Sequence, residues 1–80
     1  MNPNISNFQE LYDAYYTKSF TFAKSYVQDH MVAEDIVAES FIKLWKITSE
    51  KEIDYPQALL FTTLRNRALD YLRQHTLRHT

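Results

Sequence analysis

Eighty residues carry no cysteine, no glycine, two prolines and a net charge of −1. Without cysteine there is no disulfide framework and no thiolate metal centre, and without glycine a turn-rich β fold lacks its positive-φ positions. A chain this short makes one domain that buries about 60–65% of its unfolded surface, so its stability margin is thin and the composition favours an all-helical bundle.

The first residues, 1–4, are expected to fray. Ser6 or Asn7 suits an N-cap, with Gln9 or Glu10 in capping-box position. Apolar side chains then recur at Phe8, Leu11, Tyr12, Tyr15, Tyr16, Phe20, Ala23, Tyr26 and Val27, which is helical spacing. The face is unusually aromatic. Its rings are read as core filling that keeps the tyrosine hydroxyls at the edge, in preference to a dedicated stacking surface. Thr17 to Thr21 is a weak point where the helix would bend, since Ser and Thr are poor helix formers.

Residues 27–30 read as a break, with Asp29 as the cap of a second helix that runs to about Ile47. Its centre is AEDIVAESFIKLWK, Ala33 to Lys46, the firmest helical pattern in the chain. Ala33, Ile36, Val37, Phe41, Leu44 and Trp45 share one face. Glu34 and Asp35 are expected in the first turn and Lys43 and Lys46 in the last, where each charge complements the helix dipole. Glu39 and Lys43 are four apart in the favourable order. Thr48 to Tyr55, TSEKEIDY, is polar, aperiodic and precedes a proline, so it reads as a loop. Pro56 fits the first position of a third helix capped by Asp54 or Tyr55. That helix runs to Gln74 or beyond, with Leu60, Leu64, Ala68, Tyr71 and Leu72 inward.

Charge is uneven along the chain. Residues 1–50 hold seven acids against four bases, whereas residues 61–80 hold Arg65, Arg67, Arg73 and Arg78 against Asp70 alone. The front is acidic and the end is basic. No apolar run approaches the roughly 20 residues of a membrane span. The N-terminus lacks the basic and apolar parts of a secretory signal, so the expected compartment is the cytoplasm.

No catalytic set is present: there is no nucleophile triad and no Gly-rich phosphate loop. Glu34, Asp35 and Glu39 lie on the exposed side of a helix, where carboxylates serve docking or solubility rather than acid–base work. His75 and His79 are four apart, but no third ligand accompanies them, so they are read as a solvated helix end and no metal is expected. Arg65, Asn66, Arg67, Asp70 and Arg73 form the remaining constellation. Arg and Asn suit phosphate and base contacts, but spacing alone favours a solvated face with an Asp–Arg pair three apart.

Two stretches together shift that balance. AEDIVAESFIKLWK resembles the second conserved region of sigma factors of the extracytoplasmic-function type, A-E-D-hydrophobic-V-Q-E-x-F-hydrophobic-x-hydrophobic-W. ALLFTTLRNRALDYLRQ, Ala58 to Gln74, is similar to the regions that follow it, with Asn66, Asp70 and Arg73 matching in order and spacing. FQELYDAYYTKSFTFAKSYV resembles the family's first helix, and the likeness covers about Phe8 to Gln74. Three departures stand out: Leu59 replaces the usual Trp, Thr62 stands where Arg or Lys is common, and Ala38 stands where Gln is common.

The resemblance implies a three- or four-helix domain with an ordered core over about residues 6–76. It would bind the β′ clamp helices of core RNA polymerase and recognise and melt the minus-ten promoter element. Asp35, Glu39, Phe41, Lys43, Leu44 and Trp45 would form or support the polymerase-binding surface. Tyr55, Thr62, Arg65, Asn66, Arg67, Asp70 and Arg73 would face DNA, mainly single-stranded, and the loop from Thr48 to Tyr55 would match the segment that receives a flipped base. The protein would be no enzyme and would need no cofactor or membrane, and an anti-sigma factor is a family-level partner. The second helical domain of the family is missing, so the chain reads as an N-terminal domain cut from a longer protein. The competing reading is a helical protein-interaction module with no nucleic-acid role.

Overall fold

Three long helices account for nearly all of the chain. The computed structural model describes residues 3–79, and side chains over residues 8–76. Helix α1 spans Pro3–Val27, α2 spans His30–Glu50 and α3 spans Pro56–His79. Each packs against the other two. With helices of 25, 21 and 24 residues, the bundle is a rod of 52 × 21 × 16 Å.

The core is where the apolar spacing places it. Ala23 and Val27 of α1, Ala33, Ile36, Val37, Phe41 and Leu44 of α2, and Leu60, Leu64 and Ala68 of α3 form one buried cluster. Small side chains, among them Ser19, Ala23, Ala33, Ser40 and Ala68, are fully buried and let the three helices approach closely. Ser40 satisfies its hydroxyl by donating to the Ile36 carbonyl at 2.7 Å, and Thr63 likewise donates to Leu59 at 2.8 Å.

Aromatic side chains grip α1 from two sides. Phe8 meets Trp45 edge-on at 5.0 Å and Phe41 at 6.2 Å, while Tyr12 lies 4.8 Å from Phe41. On the other flank Tyr15 and Phe22 both meet Phe61 of α3. The tyrosines are therefore not all core: Tyr15 and Tyr26 are half-buried, and Tyr12 and Tyr16 are exposed along the α1–α2 seam. The expectation of core-filling rings thus holds for only part of the set.

Helix ends depart most from the sequence reading. Helix α1 already includes Pro3, so the backbone of Ser6 and Asn7 lies within it rather than at its start. Residues 1 and 2 lie outside the described chain, and the side chains of residues 3–7 outside the described side chains. The helix continues unbroken through Thr17 to Thr21, because Ser19 faces the core and tertiary packing outweighs a weak local propensity. It ends at Gln28, whose φ of 55° is the left-handed conformation that glycine usually supplies. The Gln28 amide donates to the Lys24 carbonyl at 2.8 Å and closes the turn.

Asp29 caps α2 as expected, accepting from the Val32 amide at 3.0 Å. Because the helix starts at His30, Glu34 and Asp35 fall in its second turn, and no acid occupies the first. Glu34 pairs instead with His30, 2.6 Å away. At the other end the helix outruns the expected stop near Ile47 and reaches Glu50, so Lys43 and Lys46 are not in its last turn. Thr48 and Ser49 donate their hydroxyls back to the Leu44 and Trp45 carbonyls at 2.9 and 2.8 Å, so both are satisfied within the helix. The loop shortens to residues 51–55. Tyr55 then occupies the cap position of α3, its carbonyl accepting from Ala58 at 3.1 Å and Leu59 at 3.3 Å, with Pro56 first in the helix.

Candidate functional site

The outward side of α2 combines acids with apolar groups. Met31, Glu34, Asp35, Ala38, Glu39, Ile42, Lys43, Trp45 and Lys46 are all exposed. Met31 is 76% and Ile42 54% exposed, unusual values for large apolar side chains on a regular helix. Trp45 is split: one edge packs on Phe8, and 37% of its surface stays open. Between it and α1 lies a hollow of about 310 Å³ bounded by Phe8, Tyr12, Ala38, Phe41, Ile42 and Trp45. Of the residues singled out on α2, Phe41 and Leu44 are buried and can act only by supporting their neighbours. Asp35, Glu39, Lys43 and Trp45 are open to a partner.

On α3, Thr62, Asn66, Asp70 and Arg73 recur three or four apart on one side of the helix, with Arg65 at its edge, and all five are exposed. Asp70 accepts from Arg73 at 3.1 Å. Tyr55 precedes the helix and is 70% exposed. It stands about 27 Å along the helix axis from Arg73, so one ligand reaches both only if it is extended.

Arg67 does not lie with this set. It sits at the edge of the core, half-buried, and its guanidinium donates to the Glu39 carboxylate of α2. The two residues are 28 positions apart. This ion pair spans a groove of about 430 Å³ that Asp35, Asp70, Tyr71 and Gln74 also line. Two residues read as docking groups and two read as DNA-facing groups therefore meet in one groove.

A third hollow, of about 220 Å³, lies at the loop. Thr48, Lys51, Glu52, Ile53 and Pro56 close it on one side and Phe8 and Leu11 on the other. Ile53 is half-buried and anchors the loop. The sequence reading passed over Ile53, Ile42 and Met31. Ile53 is a lone apolar residue in a polar run, and Ile42 follows directly after inward Phe41, which turns it outward. Among the described residues no group of three or more His, Asp or Glu side chains could hold a metal ion. Among the described residues no helix is long and apolar enough to cross a membrane.

No curated protein and no solved structure matches the chain. The family model of sigma-70 region 2 matches residues 11–78, which takes in α1 from Leu11 onward, all of α2 with its acidic outer side, the loop and nearly all of α3. The chain therefore belongs to the sigma-70 region 2 family, the non-enzymatic part of transcription initiation factors that binds RNA polymerase and takes part in promoter recognition.

Proposed function

We propose that this chain is the promoter-melting, polymerase-docking domain of a sigma factor of the extracytoplasmic-function type, acting in the cytoplasm. The observation that carries the reading is a pair of exposed surfaces, one on α2 and one on α3, that border each other at the Glu39–Arg67 groove. Asp35 and Glu39 stand on the outer side of α2, and Asn66 stands with Thr62, Arg65 and Arg73 on α3. An acidic helix suits a basic clamp on the polymerase and repels free phosphate, so docking and DNA contact need different faces. Asn66 can pair with a base edge through its amide, and the arginines beside it can take phosphates. A melted strand costs less to read than a duplex, because the unpairing energy is already spent. The hollow beside the loop is bounded by Ile53, Phe8 and Leu11, apolar groups against which a flipped base would lie. An anti-sigma factor is the expected regulatory partner.

A pull-down with core RNA polymerase tests docking. Asp35→Lys or Glu39→Lys should lower affinity about tenfold or more, since each places a cation against a basic clamp. Helicity by circular dichroism should not change, because both side chains are exposed. Undiminished capture by both variants would remove the docking assignment.

A further inference from the structure

We infer that the Glu39–Arg67 ion pair is a built-in restraint: it keeps Arg67 off nucleic acid until a docked partner's cation takes the Glu39 carboxylate. The inference rests on the docking and DNA-reading faces proposed above. It adds the way in which one controls the other.

The geometry is specific. Arg67 follows Asn66 directly in α3, yet its guanidinium is drawn across the groove to α2. Glu39 keeps well over half its surface open, so an incoming cation can reach it without moving a helix. Arg67 is more enclosed, and its Nε is buried with no hydrogen-bond partner. The side chain thus gives up one donor to reach Glu39, a cost that disappears when it swings out. Two other carboxylates line the groove. Asp70 is already engaged by Arg73, and Asp35, one turn before Glu39, belongs to the same docking face and is covered at the same time. A freed Arg67 would then lie beside Asn66 and Arg73, its neighbours around α3, whereas Arg65, two positions earlier, projects from the other flank. Because the coupling is an exchange of one partner for another, it is reciprocal: a strand that takes Arg67 leaves Glu39 free for the polymerase.

The pair is partly exposed, so the expected effect is small and measurable, about two- to fivefold in affinity. Binding of the full chain to a fluorescein-labelled oligothymidylate is measured by anisotropy over a salt series. Glu39→Ala should tighten binding by that factor and steepen the salt dependence by about 0.7, the value for one more phosphate contact on a single strand. In a chain that already carries Arg67→Ala, adding Glu39→Ala should give no such gain. Glu10→Ala, which removes a negative charge away from the groove, should give less. A second arm measures capture of core RNA polymerase, where Arg67→Ala should raise affinity about two- to fivefold by freeing Glu39. The inference is overturned if Glu39→Ala tightens nothing, if its gain persists without Arg67, if Glu10→Ala matches it, or if Arg67→Ala weakens or does not change polymerase capture. A wild-type chain that captures polymerase while Glu39→Ala gains nothing on the oligonucleotide loses only this inference. A chain that fails to capture polymerase, yet shows the strand gain, loses the docking assignment and with it the partner that would release the restraint.

Discussion

Leu64 and Phe41 carry more of the stability than their number suggests. Both are buried at the junction of the helices, and truncation removes apolar contact and leaves a cavity. Leu64→Ala or Phe41→Ala should cost about 2–5 kcal/mol. Total stability for a small domain is about 5–15 kcal/mol, so either change brings the chain near its unfolding threshold. Urea unfolding followed by circular dichroism measures this, and an unchanged midpoint in both would mean the core lies elsewhere. Asn66 makes the opposite case. It is exposed and takes no part in the core cluster, so Asn66→Ala should leave the midpoint where it is. In a full-length sigma factor it should lower promoter opening more than polymerase capture, because under the proposed function its amide would serve a base rather than the clamp. Equal losses in the two assays would move the base-reading role away from this residue.

Helix boundaries were legible where a single residue marks them. Asp29 and Pro56 announce themselves, one by side-chain chemistry and the other by fixed φ, and both are where the pattern put them. The far end of α2 was misread because Thr48 and Ser49 are as much at home in loops as in helices. Only the completed turn gives their hydroxyls the Leu44 and Trp45 carbonyls to bond. Gln28 was illegible for another reason: a chain without glycine has to spend an ordinary residue on its one described positive-φ position. That position costs a side chain about 1 kcal/mol relative to glycine, so Gln28→Gly should stabilise the domain by up to about that amount. A lowered thermal midpoint would show that the Gln28 side chain contributes more than its strained backbone costs. The short loop from residue 51 to 55 is the other element with a clear test. If it frames the base pocket, exchanging it for a relative's loop should change which minus-ten base is preferred, and should leave the helices intact. An unchanged preference would place base selection on α3.

The whole molecule is electrostatically divided, and its pairing pattern was the part hardest to read. Arg65, Arg67 and Arg73 were visible as a basic run, but nothing in a 3.6-residue period says that Arg67 crosses to Glu39, a partner 28 positions away on another helix. Asp70 and Arg73, three apart, were legible because both lie on one helix. The consequence is that α3 is less cationic in effect than in composition. Arg67 and Arg73 are each matched by a carboxylate, and Arg65 is exposed and pairs with no described residue. Phosphate neutralisation sets affinity for a duplex, and each contact contributes about −0.9 to the slope of log K against log salt. With four arginines along α3, Arg65, Arg67, Arg73 and Arg78, and an acidic α2 beside them, the isolated chain should bind duplex DNA weakly, with a slope no steeper than about −4. A single strand should be preferred, because its bases can leave the stack and meet Asn66 and the loop hollow while the same few cations hold its backbone. Titrating a labelled duplex and the matching minus-ten single strand over a salt series measures both quantities. A steeper duplex slope would mean that lysines outside α3, such as exposed Lys43 and Lys46, also contact phosphate, and that the acidic and basic faces are not divided between polymerase and DNA.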